Sequence, residues 1–314
     1  MAGRRSSRRR SRQGFTWLVV GMVLGAGLAS GVFLQMHVRP PSVPHPTTGA
    51  RSRPPAPAPY TRTPPPPLPH QNPEASQGPA IGPELPTRGP RGQPGHPLVA
   101  IIFDDAGYSL RAAQEVLALG RPVTISVLPN LPFSIPIAEE APAHGTQVIL
   151  HLPIEPDNPA IPLGPGAITV GMSDDAIRET VAADLDTVPT ASGANNHMGS
   201  RGTSDPRVMR AVIGVMKARR LFFVDSLTSP HSVAAQVARE MGVPTAVRAV
   251  FLDNQDDASY VRGQLLTLIQ IAHRRGQAIA IGHVGRVTAR VLRGMLPDFD
   301  QAGIRFVQVS QLVQ

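Results

Sequence analysis

The chain has 314 residues, 35 of them proline and none cysteine, which excludes disulfides, thiolate metal sites and cysteine nucleophiles. Residues 1–97 hold 12 arginines against Glu74 and Glu84, a balance of +10, so the remaining 217 residues sum to −2. The sequence pI of about 11.1 therefore belongs to the N-terminal stretch, and the rest lacks the basic excess that nucleic-acid binding needs.

Arg4, Arg5, Arg8, Arg9, Arg10 and Arg12 precede an uncharged run over residues 14–36. As a helix this run would span about 35 Å, enough for a hydrocarbon core of about 30 Å. The arginines predict a basic cytoplasmic tail over residues 1–13 and a single anchor in the inner membrane over 14–36. Everything beyond that anchor is then expected on the periplasmic side. A cleaved signal peptide is the rival reading, since Gly27-Leu28-Ala29 resembles a cleavage site. The run exceeds the roughly 7–15 apolar residues of a signal-peptide core, which favours the anchor. Residues 37–97 contain 20 of the prolines and read as a disordered linker rich in polyproline II.

From residue 98 the pattern changes to short apolar runs separated by amphipathic stretches. Strands are expected over 98–103, 123–128, 147–150, 221–224, 278–281 and 305–309, with a weaker one over 246–252. Helices are expected over 109–119, 173–186, 205–219, 232–241 and 257–275. Ser173, Asp205 and Ser232 stand where N-caps are wanted, and Gly120, Gly242 and Gly276 where helices end. This alternation gives a parallel sheet with helices outside, and about 217 residues with seven strand candidates favour a barrel. The Pro/Gly-rich stretch 152–172 is too long for an ordinary connection and is expected to be a functional or covering loop.

The polar residues fall at strand ends. Asp104 and Asp105 follow the first strand, His151 the third, Asp225 the fourth, and His283 the strand at 278–281; Asn195, Asn196 and His197 follow a short segment after Thr190. In parallel α/β folds the carboxyl ends of the strands share one rim, and that rim holds the active site. Two aspartates and three histidines converging there suit a hard or borderline cation bound through imidazole and carboxylate, with zinc the expected ion. A water on such a cation is acidified, and a neighbouring carboxylate can take its proton. Each residue also has a plain structural alternative: the Asp104-Asp105 pair could cap the following helix, Asp225 could cap locally, and His151 or His283 could be satisfied loop histidines.

Ile101-Ile102-Phe103-Asp104-Asp105-Ala106-Gly107 resembles the opening Asp-Asp motif of the NodB-type polysaccharide deacetylases. A longer ordered series is similar to the divergent polysaccharide deacetylase family of bacterial envelopes. It comprises His151-Leu152-Pro153-Ile154-Glu155-Pro156, Leu163-Gly164-Pro165-Gly166-Ala167, Asn195-Asn196-His197-Met198-Gly199-Ser200, Phe222-Phe223-Val224-Asp225-Ser226, Phe251-Leu252-Asp253-Asn254 and Ile279-Ala280-Ile281-Gly282-His283. The resemblance spans residues 98–314 and implies a distorted (β/α) barrel. It also implies metal-dependent removal of N- or O-acetyl groups from a carbohydrate polymer or oligosaccharide. Carried over, Asp104 is the general base, Asp105 and His151 bind metal, and His283 protonates the leaving amine or alcohol. Two departures stand out. Glu155 occupies the place of the second histidine of a His-x-x-x-His pattern, and Asn195-Asn196-His197 replaces an Arg-Pro motif. His197 is then expected to supply the missing imidazole, while Glu155, Asn196, Asp225 and Asp253 are further candidates for metal or substrate contact. A glycan-binding or scaffolding domain that has lost turnover is the alternative, supported by the same departures.

Overall fold

The computed structural model describes residues 96–314. The expected tail, anchor and all but the last two residues of the linker lie outside the described residues. Among those described, no helix is long and apolar enough to cross a membrane.

Nine strands form one parallel sheet: β1 (Leu98–Ala106), β2 (Thr124–Val127), β3 (Gln147–Ile154), β4 (Gly193–Met198), β5 (Phe222–Asp225), β6 (Thr245–Val247), β7 (Val250–Phe251), β8 (Gln277–His283) and β9 (Arg305–Phe306). The order across the sheet is β6-β5-β4-β3-β2-β1-β8-β7. β9 pairs with Leu98 and Val99 at the start of β1, and β2 pairs with Ile102, Phe103 and Ala106 further along. β6 and β7 terminate the order at opposite ends, yet only Arg248 and Ala249 separate them in the chain. The sheet is therefore curled, and since these two strands form no ladder with each other, it is a half-barrel open at that seam.

Among the described residues seven α-helices follow the strands: α1 (Leu110–Leu117), α2 (Ser134–Glu140), α3 (Asp174–Asp186), α4 (Pro206–Arg219), α5 (Ala234–Glu240), α6 (Ala258–Arg275) and α7 (Thr288–Gln301). Ser173, Asp205 and Asp257 accept backbone N–H groups at the starts of α3, α4 and α6. Ser109 does the same for α1, so the Asp104-Asp105 pair is not the cap of that helix. The N-cap position of α5 is Val233 rather than Ser232, and the Ser232 hydroxyl donates to Asp225 Oδ2 (2.8 Å) while accepting Ala234 N–H (3.3 Å).

Several elements differ from the sequence expectation for identifiable reasons. β4 hides behind its polarity, because Gly193-Ala194-Asn195-Asn196-His197-Met198 lacks the β-branched run expected of a buried strand. α7 carries Pro297 in its interior, which obscures a helical pattern. The expected single strand over 246–252 is two short strands broken at Arg248 and Ala249. β3 runs on through Ile154, so His151 lies within the strand rather than after it.

Alternation along the strands sorts the core into two layers. Val99, Ile101 and Phe103 pack on the helix side with Val208, Leu265 and Phe299. Leu98, Ala100 and Ile102 face the barrel interior with Ile149, Phe222, Val224, Ile279 and Ile281. Burying each such large side chain contributes about 1.5–3 kcal/mol. The interior parity carries the site: stepping two residues from Ile102, Ile149 and Ile281 leads to Asp104, His151 and His283.

Candidate active site

Asp104 follows the interior parity, but strict alternation would turn Asp105 towards the helices. The strand does not stay regular. Its register against β2 shifts between Phe103 and Ala106, and Asp105 adopts φ 63°, a left-handed conformation that aspartate tolerates better than most residues. This bulge re-aims the side chain, and both carboxylates approach one atom. His151 Nε2 lies 3.6 Å from Asp104 Oδ2 and 3.2 Å from Asp105 Oδ1. Met198, immediately after His197, also has positive φ (52°), so a second strand end at the site is locally strained.

Three atoms converge. Asp105 Oδ1 is 3.0 Å from His197 Nδ1 and 3.2 Å from His151 Nε2, and the two imidazole nitrogens are 3.1 Å apart. A tetrahedral zinc ion with ligands at about 2.0–2.1 Å has ligand–ligand edges of about 3.3 Å, so the triangle is slightly contracted from that size. Asp105 Oδ1 is buried and accepts no hydrogen bond, an expensive state for a carboxylate oxygen unless a cation faces it. These residues fit a divalent metal.

Asp104 lies beside this triangle, 3% exposed. Burial raises its pKa above the ordinary aspartate value, against the opposing charges of His151 and His283. Asp105 goes the other way. Burial opposes its charge, but His197 and His283, with the nearby His151, hold its carboxyl well below the usual range. For His151, burial disfavours the cation, yet Asp104 and Asp105 raise its pKa.

His283 faces the cluster from β8, with Nε2 3.8 Å from Asp105 Oδ2. Its Nδ1 is held by Asp253 Oδ1 at 2.9 Å, and its backbone N–H donates to Asp253 Oδ2 at 2.8 Å. Thr288 donates to the same oxygen. Gly282 makes room for this arrangement, since a Cβ there would stand 2.9 Å from a Thr288 methyl carbon. Burial lowers the His283 pKa, but Asp253 and then Asp105 outweigh it and push it up to about 9. Asp253, a candidate for metal or substrate, thus orients His283.

The other candidates lie apart from the triangle. Glu155 Oε2 accepts Val170 N–H (2.6 Å) and Oε1 pairs with Arg201 (2.7 Å), so this carboxylate fastens the loop after β3. Arg207 fastens the same loop by donating to the Val170 and Met172 carbonyls, so the stretch expected to be a covering loop is held at its 170–172 end. Asn196 donates to Met198 O and accepts Ser226 N–H. Asp225 accepts Leu227 N–H and the Ser232 hydroxyl. Asn195, expected at the rim but given no role, is wholly buried and bonded to Asp104, His151, Ser126 and Ser226, and Arg248, outside the expected set, is buried at the open seam. Two adjacent asparagines between apolar segments were the available signal for the first; nothing local marked the second.

Residues 101–313 match the model of the family described as divergent polysaccharide deacetylase. The chain belongs to this family. Among curated proteins it is 34% identical over 207 residues to an "Uncharacterized protein" of Haemophilus influenzae, covering 66% of this chain and 71% of that one. It is 36% identical over 215 residues to "Uncharacterized protein YibQ" of Escherichia coli, covering 68% and 67%. A crystal structure of an uncharacterized protein from Agrobacterium tumefaciens superposes with a TM-score of 0.66 at 23% identity, covering 77% of this chain and 95% of that one. That likeness shows a shared fold.

Proposed function

We propose that this family member is a metal-dependent hydrolase that removes acetyl groups from an envelope carbohydrate. The observation that carries the reading is the convergence of a buried Asp105 oxygen and the two imidazole nitrogens of His151 and His197 within ligand distance of one point. Those three residues would hold a divalent cation, with zinc the ion their donor set suits. When bound, such a cation polarises an acetyl carbonyl and lowers the pKa of water to near neutrality.

The surrounding residues divide the proton work. Asp104, its basicity strengthened by burial, takes the proton from the attacking water as general base. His283, cationic at neutral pH with its pKa near 9, gives a proton to the departing amine or alcohol. Asp253 keeps the His283 ring turned with Nε2 towards the cluster and supports its charge. The His197 imidazole from β4 stands in for the histidine that Glu155 replaces. The arginine-flanked run over 14–36 supports placing this domain on the periplasmic side of an inner-membrane anchor, at the end of the Pro-rich linker.

The test is acetate release. The full-length chain loaded with zinc should release acetate from N- or O-acetylated oligosaccharides, cease on chelation and recover on metal addition. Zinc retained without acetate release from either class of glycan would instead identify a glycan-binding domain without turnover.

A further inference from the structure

Building on that reading, we infer that Asn195 is a positioning residue that fixes the general base and a metal ligand through one amide. It sits in the middle of β4, fully buried. β4 is three places from β1 in the sheet, so its contact with Asp104 crosses the interior of the curled barrel. Nδ2 lies 2.9 Å and 3.2 Å from the two Asp104 oxygens and 3.1 Å from Ser226 Oγ. Oδ1 lies 2.6 Å from Ser126 Oγ and 2.8 Å from His151 Nδ1.

With Asp104 ionised, as a general base must be, the chemistry of these partners permits one arrangement. An ionised carboxylate only accepts hydrogen bonds, so the amide edge facing Asp104 must be the NH2. The opposite edge is then the carbonyl oxygen, which also only accepts. His151 must therefore carry its proton on Nδ1 when neutral, and Ser126 must direct its hydroxyl at Oδ1. Nε2 of His151 is left with its lone pair, and this is the atom facing His197 Nδ1 and Asp105 Oδ1. The orientation of the base and the tautomer of the ligand are thereby coupled: turning the amide over would set two acceptors against each other at Asp104 and two donors together at a protonated Nδ1.

Two substitutions separate the two edges. Asn195→Asp keeps an acceptor for His151 and Ser126 but removes the donor to Asp104 and adds a like charge. Asn195→Leu removes both edges at similar size. In the full-length chain, Asn195→Asp should bind cobalt(II) as the wild type does, with the same visible spectrum, while acetate release falls about 10²–10⁴-fold. Asn195→Leu should lose about 10–100-fold in cobalt affinity and show an altered spectrum. In the metal-free wild type, at a pH where His151 is neutral, long-range nitrogen NMR should report the Nδ1–H tautomer, and Asn195→Leu should lose that preference. Circular dichroism on each variant verifies folding, and the wild-type tautomer decides the matter even if Asn195→Leu fails to fold. An Nε2–H tautomer in the wild type, or wild-type cobalt affinity in a folded Asn195→Leu, would overturn the inference. The Nδ1–H tautomer in a wild-type chain with no cobalt affinity would overturn the proposed function and retain this role for Asn195.

Discussion

At the corner built by β1, β3 and β4, three ligand-type atoms face one another and one of them, Asp105 Oδ1, has only the two imidazole nitrogens beside it and no hydrogen bond of regular geometry. At the corner built by β5, β6 and β7, charge is buried just as deeply but its partners are in place. Both Asp225 oxygens accept hydrogen bonds, from Leu227 N–H and Ser232. Arg248 donates to the Ser226 and Leu227 carbonyls (2.7 and 3.0 Å) and lies 4.9 Å over the Phe251 ring. Burial raises the Asp225 pKa, partly offset by these bonds and by Arg248. Burial also lowers that of Arg248 to about 10, against the pull of Asp225 and Asp104. A strand-end carboxylate is thus no sign of a metal ligand by itself. The informative difference is whether its lone pairs are already used.

The largest effect that could break this contrast is expected at Asp105. Asp105→Ala should reduce metal affinity by more than the roughly 10–100-fold that supporting residues cost and abolish acetate release. Calorimetric titration with zinc checks the first, and tight zinc retention would remove Asp105 from the ligand set. Asp104→Ala sharpens the division within one bulge: acetate release should drop about 10²–10⁴-fold with zinc affinity kept. Comparable losses of both would show that the neighbouring carboxylates share one role. On the other side of the comparison, Asp225→Ala leaves the buried Leu227 N–H and the Ser232 hydroxyl without their acceptor and should cost about 1–3 kcal/mol of stability while sparing zinc affinity in the folded protein. Denaturant melts measure this, and an unchanged midpoint would contradict the structural role.

The smallest expected effect concerns a third kind of buried carboxylate. Asp184, in the last turn of α3, has one bonded oxygen, to Asn130 Nδ2, and one without a partner. Burial pushes its pKa up to about 7, against that hydrogen bond. The folded chain therefore keeps a proton that the unfolded chain releases near pH 4, so this group lowers stability as pH rises from about 4 to about 7. Asp184→Asn should remove that dependence and stabilise the protein at pH 8 by on the order of 2 kcal/mol. Thermal melts at pH 5 and pH 8 would show it; a variant with the wild-type pH slope would discount Asp184 as its source.

Residue types and their period made much of this protein readable in one dimension. The apolar runs that end at Asp104, His151 and His283 placed all three at the carboxyl ends of parallel strands and hence on one rim, because such runs mark buried strands whatever surrounds them. The capping residues Ser173 and Asp205 were legible for a similarly local reason. Asp105 and His197 were named as ligands through the motif resemblance, but how they reach the site, and what Asn195 bonds to, required the folded chain. Alternation alone sends Asp105 to the wrong side, and only the bulge brings it back. His197 and Asn195 sit on a strand whose polar residues conceal it until hydrogen bonds across the barrel satisfy them. Arg248 was invisible because a lone arginine in a short segment reads as solvent-exposed until the open seam encloses it. Local periodicity could name the faces and the strand ends. Which lone pairs remained unused was decided by contacts between strands far apart in sequence, and that difference separates a site from a well-bonded core.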